Sequence, residues 1–180
     1  MEWAKGVLNA LMDSKAKNVS RMYIYELLDE KPDPSNSQPE MHFGLFSNNN
    51  SPKVAAVALH NLTSILNKNQ ATPVNGAEGQ TLGYSLSNVP VSANQLLLQK
   101  ADGRFVLALW NETAFWNHTT GTSVTGSPAN IVVNFGATAT VVNLYDPMVS
   151  SAPIATYANQ RTMTIAVPDH PVLVEVTLPR

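Results

Sequence analysis

The sequence has 180 residues and no cysteine, with a formal net charge of −2, 13% charged residues and 44% hydrophobic residues. This hydrophobic content suffices for a folded core and excludes a disordered tail, and the length suits one large domain or two small ones. No cluster of Lys and Arg could neutralise phosphates, and no apolar run could cross a bilayer, so we expect neither nucleic acid nor membrane as a partner. The lack of cysteine excludes disulfides and cysteine-bound zinc.

The first three predicted elements are a helix, a strand and a second helix. The helix over 2–14 carries one apolar stripe, formed by Trp3, Val7, Leu8, Leu11 and Met12. Residues 19–28 are apolar at most positions and rich in β-branched and aromatic residues, which predicts a strand buried on both faces, as in a parallel sheet. After a polar loop and the short apolar stretch 42–46, Ser51-Pro52 precede a helix over 54–66 that is apolar on most sides.

The hydrophobic periodicity changes in the second half of the chain. Residues 67–80 are polar and contain Pro and Gly, so we interpret them as the boundary between two domains, 1–68 and 69–180. An Asp-Gly turn at 102–103 then predicts a hairpin. Strands are predicted at 96–100, 104–110, 130–135, 140–145, 161–167 and 172–178. Short strands at this spacing predict an antiparallel β-sandwich and, with the helices, an α+β fold.

The N-terminal part is incomplete as a parallel sheet. A strand that is apolar on both faces needs further strands at its edges and helices on both faces. The predicted helix, strand and second helix make only one and a half βα units, whereas parallel sheets contain several. Either the strand at 19–28 joins the β-sandwich, or the rest of its sheet is missing from this chain. The second interpretation is simpler, and it predicts that the chain is a fragment.

The motif YIYELLDE at 23–30 is followed by a polar loop, by HFGLF at 42–46 and by SPK at 51–53 at the start of a helix. This order resembles the end of the barrel in the large clan of retaining (β/α)8 glycoside hydrolases. Val54 replaces the proline that usually follows the lysine, and Asn49-Asn50 replaces the usual Asp-Gly turn. The stretch LLLQKADGRFVLALWNE is similar to the β-sandwich that is appended to many of these enzymes.

The resemblance implies that 1–68 is the C-terminal end of such a barrel, with helix seven, strand eight and helix eight, and that 69–180 is a β-sandwich accessory domain. In that clan the two catalytic glutamates end strands four and seven, so both would precede Met1. We therefore expect a parent enzyme that cleaves O-glycosidic bonds of a poly- or oligosaccharide, outside the cell or in the periplasm. The chain alone is expected to be inactive and to need no cofactor. Its expected partners are the carbohydrate substrate and the missing N-terminal portion of the barrel.

Tyr25, Glu26 and Asp29 are the candidate substrate-binding residues, because active sites lie at the C-terminal ends of barrel strands. The tyrosine ring would stack on the sugar, and the carboxylates would accept hydrogen bonds from hydroxyls. Alternatively, Tyr25 is a core aromatic residue, Glu26 pairs with a barrel arginine and Asp29 caps the following loop. We expect no catalytic pair here, because residues three apart in a strand lie about 10 Å apart, whereas retaining pairs need about 5–5.5 Å.

Three aromatic residues near the end of the predicted hairpin form a second candidate site. Trp110, Phe115 and Trp116 are either a sugar-stacking platform or packed residues, and we favour packing. None of the four histidines has the spacing of a metal site, so no metal is expected. Two other functional interpretations remain open. The chain is either a free-standing β-sandwich module that binds carbohydrate or mediates adhesion, or a structural interaction protein.

Overall fold

The computed structural model describes residues 1–35, 37–67 and 81–179. It shows an α+β fold with two α-helices and antiparallel strands. The helices are α1 (Glu2–Ala16) and α2 (Val54–Asn67), with a short 3₁₀ helix at Pro39–His42. The strands are β1 (Ser85–Ser87), β2 (Ala93–Gln99), β3 (Phe105–Asn111), β4 (Trp116–Asn117), β5 (Thr122–Ser123), β6 (Ala129–Tyr145), β7 (Ala155–Val167) and β8 (Val172–Thr177). None of the helices in the described residues has the length and hydrophobicity required to cross a membrane.

Six of the strands form one curved antiparallel sheet that resembles half of a barrel. Its order is β1-β6-β8-β3-β2, and β7 pairs with the other edge of β6, while β4 and β5 form a separate hairpin. The curvature is concentrated in β6, whose pairing with β7 changes register between Asn134 and Ala139. Gly136 lies at this point with φ of 70°, and a Cβ there would lie 2.8 Å from the Gly83 oxygen. A glycine is therefore required where β6 bends.

The curved sheet separates two hydrophobic cores. Strand β3 belongs to both, because all seven of its residues are buried and its side chains alternate between the two faces. The inner core lies on the face away from the helices and includes Phe105, Leu107, Leu109, Ile131, Val133, Phe135, Val174 and Val176. The outer core lies between the sheet and the helices and includes Leu8, Met12, Ala58, Leu62, Ile65, Val106, Ala108, Trp110 and Leu173.

Both helices pack on the outer face of the sheet. Leu62 and Ile65 of α2 are buried in the outer core with Leu8 of α1, so the second helix docks on the β region. Lys100 fixes the end of α2 by donating to the Ile65 oxygen at 2.7 Å. A fragment of a barrel is expected to be held loosely over residues 1–66. Here α1 and α2 are firmly packed instead, because they supply half of the outer core.

The structure corrects the prediction for residues 19–28. This segment is extended but is not a strand buried on both faces: Tyr23 is 82% exposed, Tyr25 70% and Leu27 67%. Among the described residues, it lacks a strand neighbour along each of its edges and does not join the curved sheet. The physical reason is that a two-sided strand needs partner strands, and the described part of the chain provides only residues 43–46 beside its end.

The strand prediction for the second half is largely confirmed, with three differences. The strands at 130–135 and 140–145 are one bent strand, β6, and β7 starts six residues earlier than predicted. Strands β1, β4 and β5 were not predicted from the sequence because they have only two or three residues each. Most of the predicted domain boundary, 68–80, lies outside the described residues.

Candidate functional site

The candidate site lies on the extended segment between the two helices. Side chains along this segment alternate, so that Met22, Ile24 and Glu26 are half-buried while the residues between them point to solvent. Met22 contacts the end of α1, where the Ser14 hydroxyl lies 3.3 Å from its sulfur. The alternation is that of a β-strand with one face on the protein. Tyr25 is on the outer, exposed face, so it is not a core aromatic residue.

Only the end of the segment is hydrogen-bonded along its backbone. The Glu26 N–H donates to the Phe43 oxygen at 3.2 Å, and the Leu45 N–H donates to the Glu26 oxygen at 2.9 Å. A parallel bridge joins Leu28 to Phe46, and the peptide bond between Tyr25 and Glu26 is cis. Within the described residues, the backbone of 20–25 forms no backbone hydrogen bond. Parallel pairing is therefore limited to the C-terminal end of the segment.

Asp29 organises the loop that follows the segment. Its side chain is buried, and its Oδ1 accepts the Gly44 N–H at 2.9 Å and the Lys53 ammonium at 2.5 Å. Lys53 also donates to the His42 oxygen at 3.0 Å. A Cβ on Gly44 would lie 2.4 Å from the Asp29 nitrogen, so this close approach requires glycine. These contacts agree with the alternative that Asp29 caps the following loop, and its contact with substrate stays a prediction.

A second carboxylate holds the polar part of the same loop. Asp33 accepts the Gln38 N–H at 2.8 Å and the Ser35 hydroxyl at 2.8 Å, and its Oδ2 lies 3.2 Å from the His42 ring. The hydrogen bond from the Gln38 backbone and that from Ser35 lower the pKa of the Asp33 carboxyl well below its ordinary value. Asp33 and Asp29 together fix the loop that carries Phe43.

Three aromatic rings from separate parts of the chain meet beside the segment. The centroid of Phe43 lies 6.4 Å from that of Trp3 and 6.5 Å from that of Tyr25. All three side chains are more than a third exposed. Sequence reasoning found only Tyr25, since it assigned Trp3 to the apolar stripe of the first helix. No local pattern signals this cluster, because its members are brought together by the docking of α1.

The site offers exposed aromatic faces, which suit stacking against the C–H face of a sugar. The half-buried Glu26 carboxylate can accept hydrogen bonds from hydroxyls, but it lies on the protein-facing side of the segment, opposite to Tyr25. Asp29 is engaged by Lys53 and Gly44, so the two carboxylates do not form a free pair. Among the described residues, no group of three or more His, Asp or Glu side chains could hold a metal ion.

The three aromatic residues of the second candidate site lie in different environments, some in the core and some at the surface. Trp110 is fully buried in the outer core, which confirms packing for this residue, and its indole N–H donates to Glu112 at 3.2 Å. Phe115 lies against α1, where a Cβ on Gly6 would be 3.6 Å from the ring. Trp116, on the small β4–β5 hairpin, is 39% exposed. These residues form no single platform.

No protein-family model matches the sequence, and no curated protein matches it. The function is therefore argued from the geometry of the site and from the local motifs.

Proposed function

We propose that this chain is the C-terminal part of a retaining (β/α)8-barrel glycoside hydrolase. In this proposal α1 is barrel helix seven, residues 19–28 are strand eight and α2 is helix eight. The curved sheet is the appended β-sandwich domain, in which the two limbs of β6 belong to facing layers. The observation that carries the proposal is the exposed apolar segment 19–28, whose backbone is unpaired over 20–25 within the described residues.

An exposed segment of this composition is unfavourable without a partner. Fully covering one large apolar side chain contributes about 1.5–3 kcal/mol, and Tyr23, Tyr25 and Leu27 are all mainly exposed. The free backbone N–H and C=O groups of a strand edge also favour pairing. Neighbouring parallel strands of a barrel would satisfy both requirements, and the existing pairing of Leu28 with Phe46 is already parallel.

Exposed apolar side chains also occur on the helices. Val54 is 46% exposed and Val57 45%, although both lie on a helix whose other face is buried in the outer core. Trp3 of α1 and Phe43 are also partly exposed. A helix that packs on the curved sheet with one face and on a barrel with another would have this distribution.

In the proposed enzyme, this chain supplies binding residues and a supporting domain. Tyr25 would stack on a sugar and Glu26 would accept hydrogen bonds from its hydroxyls at the rim of the pocket. The two catalytic carboxylates would come from the preceding part of the barrel. The curved sheet would stabilise the barrel end through the outer core that it shares with α1 and α2.

A free-standing carbohydrate-binding module is the second candidate. The exposed rings of Trp3, Tyr25 and Phe43 favour it, because aromatic faces are the usual means by which such modules hold sugars. It leaves the unpaired backbone of 20–25 without a function, and for this reason we place it second.

The two candidates are distinguished by the reading frame upstream of the codon for Met1. Our proposal predicts an open frame that encodes a barrel with a glutamate at the end of strand four and another at the end of strand seven. A stop codon and a ribosome-binding site directly before Met1 would support the free-standing module instead.

The purified chain is also expected to hydrolyse no aryl glycoside above background, because it lacks the catalytic pair. The assay should include the Glu26→Gln variant as a matched control. Turnover that is present in the chain and lost in Glu26→Gln would contradict the proposal, since it would place a catalytic carboxylate within these residues.

A further inference from the structure

A cavity of about 410 Å³ lies between α1 and the chain that follows β3. Helix α1 contributes Asn9 and Asp13 to its lining, and the opposite wall contains Glu112 and Phe115. Asn9 and Asp13 are about one turn apart, so they lie on the same face of the helix. Glu112 is fixed from the sheet side, where its Oε1 accepts the Trp110 indole N–H at 3.2 Å. The cavity therefore brings together polar groups from two distant parts of the chain.

Two carboxylates meet at this cavity. Asp13 and Glu112 lie within hydrogen-bonding reach of each other, although an ionised carboxylate has no proton to donate. Burial raises the pKa of Asp13 above its ordinary value and the contact with Glu112 raises it further, whereas the charge of Lys17 acts in the opposite direction. Two ionised carboxylates at this distance repel each other, so a positive charge placed between them would stabilise the pair.

A third oxygen, on Asn9, points independently to a bound ion. Asn9 is 7% exposed, and its amide nitrogen donates to the Asp169 backbone oxygen at 3.0 Å. Within the described residues, the Asn9 Oδ1 is buried and accepts no hydrogen bond. A buried acceptor that lacks a donor is unfavourable, and a bound ion is one physical reason for such an atom to persist in a folded protein. The lining of the cavity thus combines two carboxylates with an unused amide oxygen.

We propose that Asn9, Asp13 and Glu112 form a low-affinity calcium site that joins α1 to the chain after β3. Calcium takes about six to eight oxygen ligands, from carboxylates, amide carbonyls and water, in a flexible geometry. Here the helix supplies one carboxylate and the amide oxygen, the end of β3 supplies the other carboxylate, and water completes the coordination where Glu112 is exposed. Magnesium suits the site less well, because it requires a near-ideal octahedron. The site is independent of the proposed glycosidase function.

The small number of protein ligands determines the expected affinity and its effect on stability. Calcium sites bind more tightly as the charge and rigidity of their ligands increase, and for two carboxylates and one amide we expect a dissociation constant of about 0.1–1 mM. Calcium would replace the repulsion between Asp13 and Glu112 by attraction of both to one ion, and so would hold α1 to the sheet. At about 10 mM calcium, the equilibrium constant for unfolding should therefore fall about 10- to 100-fold.

Terbium luminescence on the full chain tests the site. Terbium(III) replaces calcium at oxygen-rich sites and emits when a nearby indole is excited, and Trp110 is in direct contact with Glu112. We expect saturable emission that added calcium displaces. Asp13→Asn and Glu112→Gln keep the size of each side chain, remove one charged ligand and should each weaken calcium binding at least about tenfold. Glu30→Gln, which removes an exposed carboxylate paired with Lys31, is the matched control and should bind as the parent chain does.

NMR of the parent chain locates the ion directly and decides the matter even if a variant fails to fold. Calcium should shift the backbone amides of 9–13 and 110–113, and it should raise the unfolding midpoint of the parent chain, whereas sodium chloride of equal ionic strength should do neither. The proposal would be overturned by a lack of saturable calcium binding up to about 10 mM, or by amide shifts confined to other parts of the chain. Unchanged binding in both Asp13→Asn and Glu112→Gln, or an equal loss in Glu30→Gln, would also overturn it.

Discussion

At the residue scale, Glu175, on the helix-facing side of β8, is the buried centre of a hydrogen-bond network. It is 1% exposed and is paired with Lys100, while its Oε1 accepts Arg104 at 2.7 Å and Asn143 at 3.1 Å. Burial raises the pKa of Glu175, but hydrogen bonds from Lys100 and Asn143 outweigh it and lower the pKa overall. The same carboxylate adds to burial in raising the pKa of Tyr145 to about 12. Since Lys100 also holds the end of α2, the network joins helix to sheet.

Glu175→Gln is expected to destabilise the chain by about 3–5 kcal/mol, because it leaves Lys100 buried without a counter-charge. The free energy of unfolding from chemical denaturation measures this. The matched control is Glu30→Gln, which removes a surface pair with Lys31 at 3.5 Å and should change stability by less than about 1 kcal/mol. Equal effects of the two variants would show that the buried network contributes nothing particular to stability.

At this scale the sequence predicts little of the site. Tyr25 and Glu26 are recognisable because they end an apolar run, but Trp3 and Phe43 are not, since their contact depends on how α1 docks. The ion pair of Lys5 and Asp169 is equally hidden, because the two residues are 164 positions apart in the chain. Side chains of this kind become neighbours only through the fold, and no local spacing records them.

At the scale of elements, the helix α2 and the hairpin of β2 and β3 show what a local pattern can predict. The apolar circumference of α2 indicated contacts on several sides, and its docking on the sheet follows from it. The Asp-Gly turn and the alternation in β3 fixed the hairpin. The sequence predicts two strands, 130–135 and 140–145, where the structure has the single strand β6 with Gly136 at its bend. The apolar composition of 19–28 predicts a strand that is buried on both faces, and the described part of this chain does not bury it in that way.

Leu62→Ala tests the docking of α2. Leu62 is buried in the outer core, and we expect a loss of about 2–5 kcal/mol, visible as a lower melting temperature of the whole chain because the sheet shares this core. Val57→Ala, at an exposed position of the same helix, is the control and should cost less than about 1 kcal/mol. If Leu62→Ala melted α2 alone and left the transition of the sheet unchanged, the two would be independent units.

At the scale of the whole molecule, the α+β class and the antiparallel β region could be predicted from the change in periodicity near residue 80. The continuity of the sheet could not, because short strands such as β1 carry no pattern of their own. The relation of the two parts was also not predictable in full. The helices pack in the outer core against the sheet, while the segment between them does not join the sheet and exposes Tyr23, Tyr25 and Leu27. This difference is the basis of the proposed function.

The central claim is that residues 20–25 form a barrel strand whose neighbours lie outside this chain. Hydrogen exchange at these amides tests it most directly, in the isolated chain and in the longer product of the upstream reading frame, with β3 as the protected reference. We predict exchange near the intrinsic rate in the isolated chain and protection approaching that of β3 in the longer protein. Strong protection in the isolated chain, or none in the longer protein, would contradict the account.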